Sequence, residues 1–118
     1  MRDVLKELNT TPGVKGSLVV TPDGIVVASE LSTELDEDTT AALAGNVVTQ
    51  TLRLLQTRRY EDLDRMILTA SRGKIVIENL VNCYLVAVTN QFINLDVTLL
   101  EISSAAKKIR ELGTLATH

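Results

Sequence analysis

Cys83 and His118 are the only thiol and the only imidazole in the chain. A cysteine nucleophile needs a positioned base, and the one histidine is the last residue, so Cys83 reads as a small, buried hydrophobic side chain. The same shortage of histidine argues against a serine triad and most zinc sites. A lone cysteine also excludes an intrachain disulfide. Asp36, Glu37 and Asp38 offer hard oxygen ligands, but at a helix start three carboxylates more simply complement the helix dipole. Asp62 and Asp64, next to Arg65, are expected to line a loop. Lys107 and Lys108 near a helix end suit the opposite end of the dipole and give no membrane patch.

Nucleotide chemistry is poorly served too. Gly73-Lys74 is followed by Ile75, and no glycine stands five residues before Gly73, so the phosphate loop is absent. The Gly13–Gly16 segment leads into a strand pattern, not a helix that could cradle phosphate. Arg53, Arg58, Arg59 and Arg72 are the candidates for an arginine finger. Arginine is common and no motif singles one out, so they read as solvated charges or ion pairs at a dimer edge. The expectation is a chain with no catalytic residue, no cofactor and no metal site.

The 118 residues suit one domain spanning 1–118, and 45% are hydrophobic against 23% charged, the globular range. With one Phe, two Tyr and no Trp, the core must be built from Leu, Val, Ile and Ala. A net charge of −3 disfavours a phosphate-tracking nucleic-acid surface. The N-terminus lacks the apolar run of a signal peptide, and no run approaches the ~20 apolar residues of a membrane helix. A soluble cytoplasmic protein, with no nucleic-acid partner and no membrane insertion, is expected.

Arg2 to Asn9 is a short helix pattern, ended where Pro12 biases Thr11 away from helical geometry. From Val14 to Ser29, two β-branched runs flank Thr21-Pro22-Asp23-Gly24. Pro22 presets one φ and Gly24 tolerates positive φ, which predicts a β-hairpin. A helix is predicted from about Asp36 to Arg59. At about 100° per residue, Leu43, Ala44, Val47, Val48, Leu52, Leu54 and Leu55 fill nearly half its circumference. That stripe is wider than packing on one surface needs, and the side with Val48, Leu52 and Leu55 is expected to need a further cover. Gly45, Asn46, Thr49, Gln50, Arg53, Gln56 and Thr57 fill the other half.

Leu63–Ser71, Lys74–Leu80 and Cys83–Thr89 read as strands joined by turns too short for parallel connections. Ile75-Val76-Ile77 and Leu85-Val86-Ala87-Val88 do not alternate with polar residues, so both sheet faces should be covered. Asn94 is placed to cap a final helix from Leu95 to Leu112, with Gly113 just past its end. No repeat, low-complexity segment or linker interrupts the order. The predicted fold is α/β (α+β): a five-stranded antiparallel sheet with helices on both faces, in the order α-β-β-α-β-β-β-α.

That order resembles the Roadblock-type dynein light-chain family. The resemblance rests on Gly13-Val14-Lys15-Gly16-Ser17-Leu18-Val19-Val20-Thr21-Pro22-Asp23-Gly24-Ile25-Val26-Val27-Ala28-Ser29, with its Gly-Val-x-Gly opening, acidic-Gly turn and Ala-Ser ending. Lys74-Ile75-Val76-Ile77 and Tyr84-Leu85-Val86-Ala87-Val88 fit as well. Within the family the chain looks closest to compact bacterial and archaeal members, including those similar to gliding-motility regulators.

The resemblance implies a homodimer, with the long helix and the third strand each pairing with its mate. The residues agree, because Met66-Ile67-Leu68 would make a poor unprotected sheet edge. The interface expected is Ala44, Val48, Leu52, Leu55, Arg59, Met66, Ile67 and Leu68. The resemblance further implies a partner, a small Ras-like GTPase. Asn46, Thr49, Gln50, Arg53, Gln56 and Thr57 are the expected docking face, since a twofold would set two such arcs side by side. The leading expectation is a scaffold or regulator without catalysis of its own. The alternatives are a GTPase-activating regulator, or a ligand-sensing or cargo-adaptor module of the same fold.

Overall fold

The computed structural model describes the backbone of residues 1–57 and 63–116, and the side chains of residues 1–55 and 63–112. In chain order the elements are α1 (Arg2–Leu8), β1 (Val14–Val20), β2 (Val26–Leu31), α2 (Glu37–Thr57), β3 (Arg65–Ala70), β4 (Gly73–Asn79), β5 (Tyr84–Asn90) and α3 (Leu95–Ala116). The strands form one antiparallel sheet in the order β2-β1-β5-β4-β3. This is the five-stranded α+β arrangement the sequence predicts.

Strand alternation splits the core into two layers. Leu18, Val20, Ile77, Tyr84 and Val86 point to one face and pack with Ala41, Ala44 and Val48 of α2. Val19, Val76, Leu85 and Ala87 point to the other, where Leu5 and Leu8 of α1 and Ile102, Ala106 and Ile109 of α3 cover them. The unbroken apolar runs of β4 and β5 follow from this double burial. α1 is also tied to the hairpin by polar bonds: Ser17 Oγ donates to Asn9 Oδ1 at 2.7 Å, and Asn9 Nδ2 donates to the Glu30 carbonyl at 2.8 Å.

The helix starts match their capping residues. The Asp36 carboxylate accepts the Thr39 N–H at 3.1 Å and also the Thr39 hydroxyl. These bonds hold the Asp36 carboxyl below its ordinary pKa. Asn94 Oδ1 accepts the Val97 N–H at 3.2 Å at the start of α3.

One expectation about ends needs correction. α3 does not stop at Leu112 but continues through Gly113 to Ala116. A glycine costs a helix only about 1 kcal/mol and ends it only when it turns left-handed. Among the described residues, the glycines with positive φ are Gly13 and Gly24. In the β4–β5 turn, Val81 adopts φ 88°, an unfavourable setting for a β-branched residue.

Candidate functional site

α2 is seated on the sheet by one close approach. A Cβ on Gly45 would lie 2.6 Å from Gly24 Cα in the β1–β2 turn, so only a glycine lets helix and turn backbones meet. Beside it, Thr49 Oγ1 donates to the Pro22 carbonyl at 3.0 Å. The flank of α2 bearing Gly45 and Thr49 therefore leans on the hairpin. At about 100° per residue, the flank carrying Leu43, Val47 and Leu54 lies on the opposite side.

This orientation corrects the expected surplus stripe. Val48 is fully buried and Ala44 nearly so, both against the chain's own sheet. Leu52 and Leu55 are half-buried on the same cluster. The apolar side left open is the other one: Leu43 is 49% and Leu54 59% exposed, with Val47 half-buried between them. The apolar arc had the right members, but periodicity alone does not say which edge of an arc meets the sheet.

Of the expected docking residues, Asn46, Gln50 and Arg53 are exposed. Thr49 is half-buried, with its hydroxyl engaged by the hairpin, so it contributes little to an outer face. The side chains of Gln56 and Thr57, and all of Arg58, Arg59 and Asp62, lie outside the described residues, as does His118.

At the sheet margin, β3 is an edge strand. Met66 and Leu68 sit opposite Ile77 and Ile75 and share their face, the α2 side, where both are half-buried. Ile67, opposite Val76, belongs to the α3 side and is exposed. Arg65 binds Glu78 on β4, with Nε to Oε2 at 2.8 Å, and donates to Ser103 Oγ of α3 at 2.6 Å. One end of the edge strand is thus tied down by charge, while its centre presents apolar side chains.

Other candidates for chemistry are apart from this surface. Cys83 is half-buried against the α1–α3 cluster, and desolvation pushes its thiol pKa up, away from the thiolate a nucleophile needs. Asp36 serves as a helix cap, while Glu37 and Asp38 occupy the first turn of α2. Arg72 is exposed in the β3–β4 turn. Among the described residues, no helix is long and apolar enough to cross a membrane.

Comparison with known proteins agrees with this fold. The family model described as Roadblock/LC7 domain matches residues 2–90. A protein of Methanocaldococcus jannaschii is 32% identical over 109 residues, 92% of each chain. The structure of Myxococcus xanthus MglB superposes with a TM-score of 0.88 at 15% identity, covering 95% of this chain and 93% of that one. A second MglB structure, described as having a tetrameric arrangement, gives 0.85 at 19% identity over 98% of this chain and 88% of that one. At such identities the two structures speak for the fold alone, whereas the match over residues 2–90 settles the family: this chain belongs to the Roadblock/LC7 domain family.

Proposed function

We propose that the chain is a cytoplasmic, homodimeric scaffold that docks a small Ras-like GTPase on the outer surface of α2 and performs no catalysis itself. The observation that carries this reading is the open apolar flank of Leu43, Val47 and Leu54 on the same sheet face as the half-buried Met66 and Leu68 of an edge strand. A twofold mate pairing through β3 would cover that edge and bring its own α2 across. The two outer arcs of Asn46, Gln50 and Arg53 would then lie on one platform.

The dimer and the GTPase are tested separately. Sedimentation at micromolar concentration should give twice the 12.9 kDa chain mass. A monomer would contradict the dimer. Small GTPases from the source organism, loaded with GDP or a GTP analogue, should be retained in one nucleotide state and not the other. Absence of state-dependent binding would remove the GTPase reading. Single-turnover hydrolysis, run with and without the protein, separates a scaffold from an activator.

A further inference from the structure

The face opposite α2 carries an apolar ridge at the start of α3. Phe92, the chain's only phenylalanine, is 83% exposed in the β5–α3 loop, and Leu100 is 71% exposed on α3. Val97, one turn before Leu100, is exposed as well. Isolated surface hydrophobics are ordinary, but here the chain's only phenylalanine joins two aliphatic neighbours at the start of one helix.

Two hollows flank the ridge. One, of about 380 Å³, lies between the α1–β1 turn and the β5–α3 loop, lined in part by Pro12, Phe92, Ile93 and Val97. The other, of about 320 Å³, lies between α3 and the β3 edge, lined by Arg65, Asp96, Leu99, Leu100 and Ser103. The exposed carboxylates Asp96 and Glu101 border Val97 and Leu100 on the helix. Neither makes an ion pair among the described residues. Among the described residues, the one cation lining the hollows is Arg65, which is paired with Glu78.

We propose that this ridge is a second docking surface, which takes an amphipathic helix from a partner protein. Apolar side chains of that helix fill the two hollows, and lysines or arginines on its border meet Asp96 and Glu101. Charge decides among the possible occupants. A second copy docking here by a twofold would press Asp96 and Glu101 toward their own mates. An anionic bilayer would repel the same carboxylates. A basic-edged helix instead satisfies both the apolar surface and the charge. The proposal stands independently of the GTPase reading, because it concerns the other face of the sheet.

The test titrates the full-length ¹⁵N-labelled protein with synthetic peptides. The probe is a leucine/lysine amphipathic helix. Its controls are a peptide of the same composition with scattered leucines, and a leucine/glutamate helix. Binding by the probe should shift the amides of residues 92–101, and the leucine/glutamate helix should bind about tenfold more weakly or worse. Phe92→Ser with Leu100→Ser should abolish the shifts. Asp96→Asn with Glu101→Gln should weaken binding and flatten its salt dependence. These side chains are exposed, and unchanged α2 amide positions would verify that the variants fold. The proposal is overturned by failure of the probe to bind, by equal binding of the scattered peptide, by shifts centred on α2, by protein-concentration-dependent shifts of residues 92–101 without peptide that persist in Leu43→Asp, or by equal affinity for anionic phosphatidylserine vesicles.

Discussion

Gly45 of α2 and Gly24 of the β1–β2 turn are in backbone contact, and a Cβ at position 45 would fall 2.6 Å from Gly24 Cα and 2.7 Å from its nitrogen. The obstacle is main chain, which cannot swing aside as a side chain would. The contact fixes the roll of α2 about its axis, and with it which residues face solvent.

Gly45→Ala should therefore destabilise the fold although alanine is the better helix former. The propensity gain is about 1 kcal/mol, while forcing helix and turn apart costs about 1–3 kcal/mol and exposes part of the α2 layer. Urea denaturation should show a lower midpoint. An unchanged or higher midpoint would mean that α2 can shift outward freely.

Substitutions along α2 should separate assembly from folding. Leu43→Asp and Leu54→Asp place charge on exposed positions, so the proteins should keep their helical circular dichroism and sediment as monomers. Val48→Asp should not fold, since it gives up about 1.5–3 kcal/mol of apolar burial and leaves an unpaired charge in the core. Dimeric Leu43→Asp and Leu54→Asp proteins would place the interface elsewhere.

Arg53→Ala and Gln50→Ala should weaken retention of the GTPase while leaving sedimentation unchanged, because both positions lie on the outer arc of α2. If Arg53→Ala instead slows stimulated single-turnover hydrolysis without altering binding, the protein is an activator that contacts the reacting phosphate.

Val81→Gly should stabilise the protein by about 1 kcal/mol. Relief of a left-handed β-branched residue is worth about 1–3 kcal/mol, part of which the greater freedom of glycine in the unfolded chain offsets. The side chain is exposed, so little packing is lost. A lower thermal midpoint would show that Val81 contributes more through contact than its backbone setting costs.

The Asp36 cap makes an acid-side prediction. Its folded pKa is depressed below the ordinary 3.8 by the Thr39 hydrogen bonds. Its contribution is therefore present above that ordinary value and is lost as pH falls through the depressed folded one. Asp36→Ala should lower stability at neutral pH and narrow its gap to the parent protein in strong acid. A constant gap across the acid range would show that the carboxylate is not what caps α2.

Much of this was legible in the residues because local rules and tertiary context point the same way. Pro22 and Gly24 fix the hairpin turn, Asp36 and Asn94 mark helix starts, and the unbroken runs of β4 and β5 announce a sheet covered on both faces. The end of α3 was not legible, because Gly113 looks like a stop signal, yet a glycine within a continuing helix merely weakens it. The site was less legible than the fold. Thr49 belongs to the polar arc by composition, but the Pro22 carbonyl recruits its hydroxyl inward.

The sequence by itself determined the element order, the two-faced sheet and the membership of the α2 apolar arc, since these follow from side-chain type and period. Only the tertiary structure decided that Val48 lies inside while Leu43 and Leu54 stay open. Helical periodicity specifies which residues share a side but not the roll angle at which that side meets a sheet. Here the roll is set by the contact of Gly45 with Gly24, two backbones brought together from separate parts of the chain.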